Sequence, residues 1–182
     1  MAEMYTPAVE RGWKAEDFKL QGTDEKVYTL DEVRGKNGLV VMFICNHCPY
    51  VKAVLDKIIS DTKELKAYGI NSVAIMSNDP EQYPEDSFRN MQTLSIVKLL
   101  PFPYLWDKDQ SVARTYGAVC TPDFFGFNAD LKLQYRGRLD ASGRSSSPEA
   151  KRELFEAMVE ISKTGKGPDE QMPSIGCSIK WK

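Results

Sequence analysis

The sequence has little of what a disulfide-stapled or membrane-spanning protein needs. Four cysteines among 182 residues are too few for the disulfide framework of a small secreted domain. The longest uninterrupted apolar run, Leu39 to Cys45, is far shorter than the roughly 20 residues that cross a bilayer. The segment Met1 to Glu10 is polar and acidic, unlike a secretory leader. We therefore expect a cytoplasmic protein that does not insert into membranes.

The sequence has no excess of charge of either sign and none of the common cofactor-binding motifs. The chain carries 24 basic and 26 acidic residues with no block of either, which gives no footprint for nucleic acid. No G-x-G-x-x-G occurs, and Gly35 to Gly38 lacks the pattern of a phosphate-binding loop. The one histidine and the one close cysteine pair are too few for a four-ligand zinc site. We predict no cofactor, no metal and no nucleic-acid partner.

The pattern that is present alternates strand-like and helix-like segments, which is typical of an α/β fold. We predict a single domain over residues 1–182, with a core at about 12–165 and a tail at 166–182. Residues 17–20 and 26–30 indicate an N-terminal β-hairpin, and residues 39–44 a strand buried on both faces. Apolar residues at three- and four-residue spacing predict a helix over 50–65. A last helix is expected just after Ser147.

The motif Cys45-Asn46-His47-Cys48-Pro49 lies between the buried strand and the helix over 50–65. Proline is favoured at the first helical position, so Pro49 places Cys48 at the helix start, where free amides and the helix dipole stabilise a thiolate. We take Cys48 as the candidate nucleophile and Cys45 as its resolving partner. A protonated His47 would lower the Cys48 pKa further.

Two other interpretations of the motif stay open at this stage. A C-x-x-C pair can be two inert, buried thiols that behave as small hydrophobes. Cys45, His47 and Cys48 also offer sulfur and nitrogen donors that suit zinc or copper.

Four segments together resemble the thioredoxin superfamily, and within it the peroxiredoxin-like (AhpC/TSA-like) branch that carries a C-x-x-C motif. They are Gly12 to Phe18, Cys45 to Pro49, Cys120-Thr121-Pro122 and Gly176 to Trp181. The resemblance implies a thioredoxin-like fold, with a central mixed β-sheet flanked by helices and an N-terminal hairpin extension.

The resemblance also implies roles for the segment before the strand at Phe124. Pro122 looks like the cis-proline that faces the active thiols in thioredoxins, which leaves the backbone of Thr121 to pair with a substrate. Cys120 would lie close by, either as a second resolving thiol or as a buried small hydrophobe.

The chain departs from both parent patterns at the motif. Thioredoxins use the first cysteine as nucleophile, whereas the spacing from the buried strand puts Cys48 at that place. The peroxiredoxin pattern Pro-x-x-x-Thr-x-x-Cys has Val41 and Cys45 in place of proline and threonine. We therefore predict a thiol-disulfide oxidoreductase acting on a protein or small-molecule disulfide, with a thiol reductant as partner. The alternatives are a thiol peroxidase acting on peroxide and a non-enzymatic redox-sensing or metal-binding module.

Several other polar residues receive structural interpretations. Asp79, Glu81, Glu85 and Asp86 are expected in a solvated helix start. Arg136, Arg138 and Arg144 are expected on a wet surface. Cys177 is either a tail thiol that reaches the site or a partner, or a residue packed with Trp181.

Overall fold

The computed structural model describes residues 2–7 and 10–182. Its strands are β1 (Glu3–Tyr5), β2 (Lys19–Gly22), β3 (Val27–Thr29), β4 (Gly38–Phe43), β5 (Ile70–Met76), β6 (Tyr104–Trp106), β7 (Cys120–Thr121), β8 (Asp123–Asn128), β9 (Leu133–Gly137) and β10 (Ile175–Ser178). Its helices are α1 (Leu30–Val33), α2 (Pro49–Leu65), α3 (Phe88–Lys98), α4 (Ser111–Tyr116) and α5 (Glu153–Thr164). No helix in this part of the chain combines the length and apolar character needed to cross a bilayer.

A mixed sheet in the order β3-β2-β6-β5-β4-β8-β9 forms the centre of the protein. Strand β5 pairs in parallel with β4 and β6, whereas β8 pairs antiparallel with β4 and β9. Parallel neighbours need a crossover, and α2 supplies it between β4 and β5. The hairpin β2–β3 extends one edge. The predicted mixed sheet with an N-terminal hairpin is thus confirmed.

Strand β4 is buried along its whole length because helices cover both faces of the sheet. Val40 and Met42 pack in the same apolar cluster as buried residues of α2 and α5. Leu39, Val41 and Phe43 point the other way, into a cluster with buried residues of α1 and α4. The centre of the core therefore lies directly before the cysteine motif.

A second, smaller sheet has the order β1-β10-β7. Its central strand, β10, lies in a part of the sequence that has no helical pattern. Strand β10 lies in the tail, where Ile175, Cys177 and Ile179 alternate with smaller or polar residues. This two-residue period is the local signal for a strand. The tail is therefore an ordered part of the fold that returns to β7.

Three expectations about helix starts and polar residues are wrong. Helix α5 begins at Glu153 and not just after Ser147, because the chain first makes a turn in which the Ala150 N–H donates to the Ser147 carbonyl (3.2 Å). Asp79 and Asp86 are buried, 3% and 0% exposed, and are not part of a solvated helix start. Arg136 is buried as well, because it pairs with the buried carboxylate of Asp123 at 2.8 Å.

Candidate redox site

Cys45 and Cys48 lie where β4 ends and α2 begins. Cys48 is the N-cap residue of α2, with extended backbone, and Pro49 is the first residue of the helix. A proline at this position costs no hydrogen bond, because the first amide of a helix has no partner within it. The Cys48 carbonyl accepts the N–H groups of Val51 (3.1 Å) and Lys52 (3.0 Å), so the residue sits at the positive end of the helix dipole.

Several groups near the Cys48 sulfur favour its ionised form. They are the thiols of Cys45 and Cys177 and the backbone N–H groups of Val51 and Cys177. Hydrogen bonding from these groups, with Cys45 contributing most, outweighs burial and lowers the pKa of Cys48 from 9.0 to about 5. Cys48 is accordingly more acidic than an ordinary cysteine.

Cys45 has the opposite character. Its hydrogen bond to Cys48 is the main reason that its pKa lies well above the usual value, and burial and the nearby Asp86 carboxylate add to this. Its sulfur also lies 3.5 Å from the Thr121 hydroxyl. The pKa of Cys45 is thus raised and that of Cys48 lowered, so ionisation of the pair favours Cys48.

The Thr121–Pro122 segment faces both sulfurs, and its peptide bond is cis, as the resemblance predicted. When Cys48 is protonated, its thiol donates to the Thr121 carbonyl across 3.3 Å. The structure therefore brings together Cys45, Cys48, Thr121 and Pro122, four of the residues that the sequence singled out.

The His47 side chain contacts Asp86 and Tyr83. Its Nδ1 lies 2.6 Å from Asp86 Oδ2, and its ring stacks on Tyr83 with centroids 5.8 Å apart. Asp86 also accepts hydrogen bonds from the Asn46 N–H (2.8 Å) and the Asn78 amide (2.9 Å). Asp86 thus fixes the loop between the two cysteines, a role that the local sequence pattern does not signal.

Cys45, His47 and Asp86 each offer a metal-ligand atom, and these atoms lie within 4.8 Å of one another. Three donors are one short of a structural zinc set. Both oxygens of Asp86 already accept hydrogen bonds from Asn46 and Asn78. We interpret Cys45, His47 and Asp86 as part of the hydrogen-bonded lining of the thiol site and not as a metal site.

Cys120 and Cys177 have different places. Cys120 lies on β7 with its thiol 4.0 Å from the Pro122 carbonyl, and burial raises its pKa strongly. Cys177 lies on β10 in the same buried cluster as Cys48, and burial together with hydrogen bonding to Cys48 raises its pKa to about 12. Of these two thiols, Cys177 is the one near the Cys48 sulfur.

The site is closed. Cys45 is 1% exposed and Cys48 is 0% exposed. The adjacent cavity, lined in part by Tyr50, Pro122 and Ile175, has a volume of about 20 Å³. Such a cavity holds about one water molecule, so a reactant reaches Cys48 only when part of its cover moves.

Comparisons with known proteins identify the relatives of the chain. The model of the AhpC/TSA family matches residues 12–136. An uncharacterized conserved protein from Geobacillus kaustophilus is 42% identical, with a TM-score of 0.94 over 100% of this chain and 97% of that one. A hypothetical protein from Sinorhizobium meliloti 1021 is 34% identical, with a TM-score of 0.91 over 98% of both chains.

More distant structures share the fold. The exposed lipoprotein thioredoxin of Streptococcus pneumoniae strain TIGR4 is 21% identical, with a TM-score of 0.59 over 81% of this chain and 98% of that one. A comparison with curated protein sequences found no match. The predicted thioredoxin-like fold is confirmed.

Proposed function

The chain belongs to the AhpC/TSA family, and we propose that it catalyses thiol-disulfide exchange. In this proposal Cys48 is the attacking thiolate and Cys45 the resolving thiol. Pro49 starts the helix that stabilises the thiolate, and His47 holds the loop through Asp86. Thr121 and Pro122 position the substrate next to the sulfurs.

The proposed reaction has two exchange steps. The Cys48 thiolate attacks one sulfur of a substrate disulfide, that disulfide breaks, and the other half leaves as a thiolate that takes a proton from water. Cys45 then attacks the Cys48 sulfur of the mixed disulfide. The bound half of the substrate leaves and takes the Cys45 proton, and a Cys45–Cys48 disulfide remains. An external thiol reductant restores both thiols.

The observation that carries this proposal is the position of the two cysteines. Cys48 caps helix α2, and the sulfurs of Cys48 and Cys45 both lie at Thr121, 3.3 Å from its carbonyl and 3.5 Å from its hydroxyl. A thiolate is the reactive form in exchange, and the pKa of Cys48 is lowered while that of Cys45 is raised. The pair thus offers an acidic thiol for the first step and a neighbouring thiol for the second.

Two competing functions have distinct signatures. A peroxidase needs donors that polarise the breaking O–O bond, and Cys45 occupies the place of the usual threonine. Rapid peroxide consumption with a sulfenic acid on Cys48, and no disulfide turnover, would favour that function.

Stoichiometric zinc in protein purified without added metal would favour a metal-binding module. The cytoplasmic location stays a prediction.

The test is the reduction of insulin disulfides by dithiothreitol in the presence of the protein. We expect Cys48→Ser to lower the rate to the uncatalysed background, because no other thiol of the site is held as a thiolate. Cys120→Ser is the matched control, since it removes a buried thiol that does not bond to the reacting sulfurs, and it should retain activity. Full turnover by Cys48→Ser would refute the assignment.

A further inference from the structure

Strand β10 occupies the place beside the Thr121–Pro122 peptide where the family resemblance expects a substrate chain. It pairs antiparallel with β7, with Cys177 opposite Thr121 and Ser178 opposite Cys120. The backbone of Thr121 is therefore already engaged by the protein's own tail. This arrangement is strand addition to a short sheet edge, which is a common way to bind an extended peptide.

Gly176 lets the tail approach this closely. A Cβ added at this position would overlap the carbonyl oxygen of Thr121, and that backbone atom cannot move aside like the end of a flexible side chain. Only glycine fits between β7 and the tail at this point. The residue before Cys177 is thus suited to docking at the Thr121–Pro122 peptide.

Cys177 meets Cys48 as the cysteine of a bound substrate would. Cys177 lies opposite Thr121, the Cys48 sulfur lies 3.3 Å from the Thr121 carbonyl oxygen, and both cysteines belong to the same buried cluster. The tail is fixed on both sides of this contact: Ser174 N–H donates to the Thr6 hydroxyl (3.0 Å), and Lys180 N–H donates to Asn78 (2.9 Å). Cys177 is 4% exposed, so the contact is sealed from solvent.

We propose that β10 is an internal substrate that covers the site, and that Cys177 is a second exchange partner of Cys48. The substrate class that this implies is an extended, cysteine-containing segment of another protein, which takes the place of β10 after the tail detaches. The inference rests on the proposed function, since that reaction supplies the Cys45–Cys48 disulfide.

The exchange needs no added oxidant. Cys177 loses its proton and attacks the Cys48 sulfur, a Cys48–Cys177 bond forms, and the Cys45–Cys48 bond breaks. Cys45 leaves as a thiolate and takes up the proton. The number of disulfides is unchanged, and the tail is now covalently closed over the site.

The first test treats the reduced Cys45→Ser protein with glutathione disulfide and maps its bonds by mass spectrometry without reduction. We expect a Cys48–Cys177 disulfide and released glutathione. A lasting glutathione adduct on Cys48 with Cys177 free would overturn the inference and leave the nucleophile of the proposed function intact. An unmodified Cys48 would reject both.

The second test measures how fast iodoacetamide alkylates Cys48 in the reduced protein. We expect Gly176→Ala to raise this rate at least about tenfold, because the tail can no longer dock against Thr121. Gly143→Ala is the matched control, since an added Cβ there contacts nothing within 4 Å. Equal rates in Gly176→Ala and the unaltered protein would show that β10 does not close the site.

Discussion

Cys48 and Cys120 are both completely buried, with 0% of each residue exposed, and yet their thiols differ in character. Burial raises the pKa of Cys120, and the nearby carboxylate of Asp123 raises it further. Cys48 is buried too, but donated hydrogen bonds lower its pKa to about 5. The difference teaches that donors around the sulfur, and not exposure, decide which buried thiol ionises.

The residues around Cys120 stabilise the fold, whereas those around Cys48 tune the acidity of a thiol. Arg136 and Asp123 form a buried ion pair at 2.8 Å, and Arg136 also donates to the Gly117 carbonyl at 2.8 Å. Its guanidinium lies over the Phe125 ring, 4.4 Å from the centroid. Asp123 directly follows the Thr121–Pro122 peptide, so the pair holds the base of the site.

Among the substitutions around these two cysteines, we expect Arg136→Leu to cause the largest loss of stability. This change leaves the Asp123 carboxylate buried without its partner, and we expect a loss of about 3–5 kcal/mol in the free energy of unfolding. Denaturant unfolding at neutral pH measures it. The Cys48 thiolate of the folded variant should titrate as before, because Arg136 does not bond to that sulfur.

The pH dependence of Arg136→Leu has a definite sign. Burial raises the pKa of Asp123 from 3.8 to about 6 although Arg136 opposes this, so the folded variant binds a proton more readily than the unfolded chain. The stability of the variant is therefore expected to be greatest at acid pH and to fall as the pH rises from about 3.8 through about 6, up to the still higher pKa of Asp123 without Arg136. Arg138→Leu is the control. Its side chain is 28% exposed beside Glu153, so it should cost less than about 1 kcal/mol.

A smaller effect should follow from removing the main donor to Cys48. Cys45→Ala deletes the hydrogen bond that contributes most to the low pKa of Cys48. A hydrogen bond to a charged group contributes about 1.5–3 kcal/mol, and we expect the thiolate midpoint of Cys48 to rise by about one to two pH units. Titration of thiolate ultraviolet absorbance measures the midpoint. An unchanged midpoint would show that the start of helix α2 alone lowers the pKa of Cys48. Cys120→Ala is the control and should leave the midpoint of Cys48 unchanged.

Much of the fold follows from local patterns in the sequence. The apolar run over 39–44 gives β4, because a strand covered on both faces has no polar side to alternate. The three- and four-residue spacing over 50–65 gives α2, and Pro49 marks its start. Together these two elements place Cys45 and Cys48, so the pair could be found without the structure.

The rest depends on contacts between distant parts of the chain. Asp86 lies in an acidic stretch that resembles a solvated helix start, and only the return of that segment to Asn46 and His47 buries it. Cys177 lies 129 positions after Cys48, and a single-sequence pattern carries no information on that contact. The alternation of Ile175, Cys177 and Ile179 predicts a strand but not its neighbour.

The most direct measurement is a pH titration of thiolate ultraviolet absorbance in the reduced, folded protein, compared with Cys48→Ser. It does not require a reagent to enter the closed site. The account predicts one thiolate with a midpoint near pH 5 that is lost in Cys48→Ser and retained in Cys120→Ser. If no thiolate appears until the pH approaches the usual cysteine value of about 8.5, Cys48 is not held as an anion and the central claim is wrong.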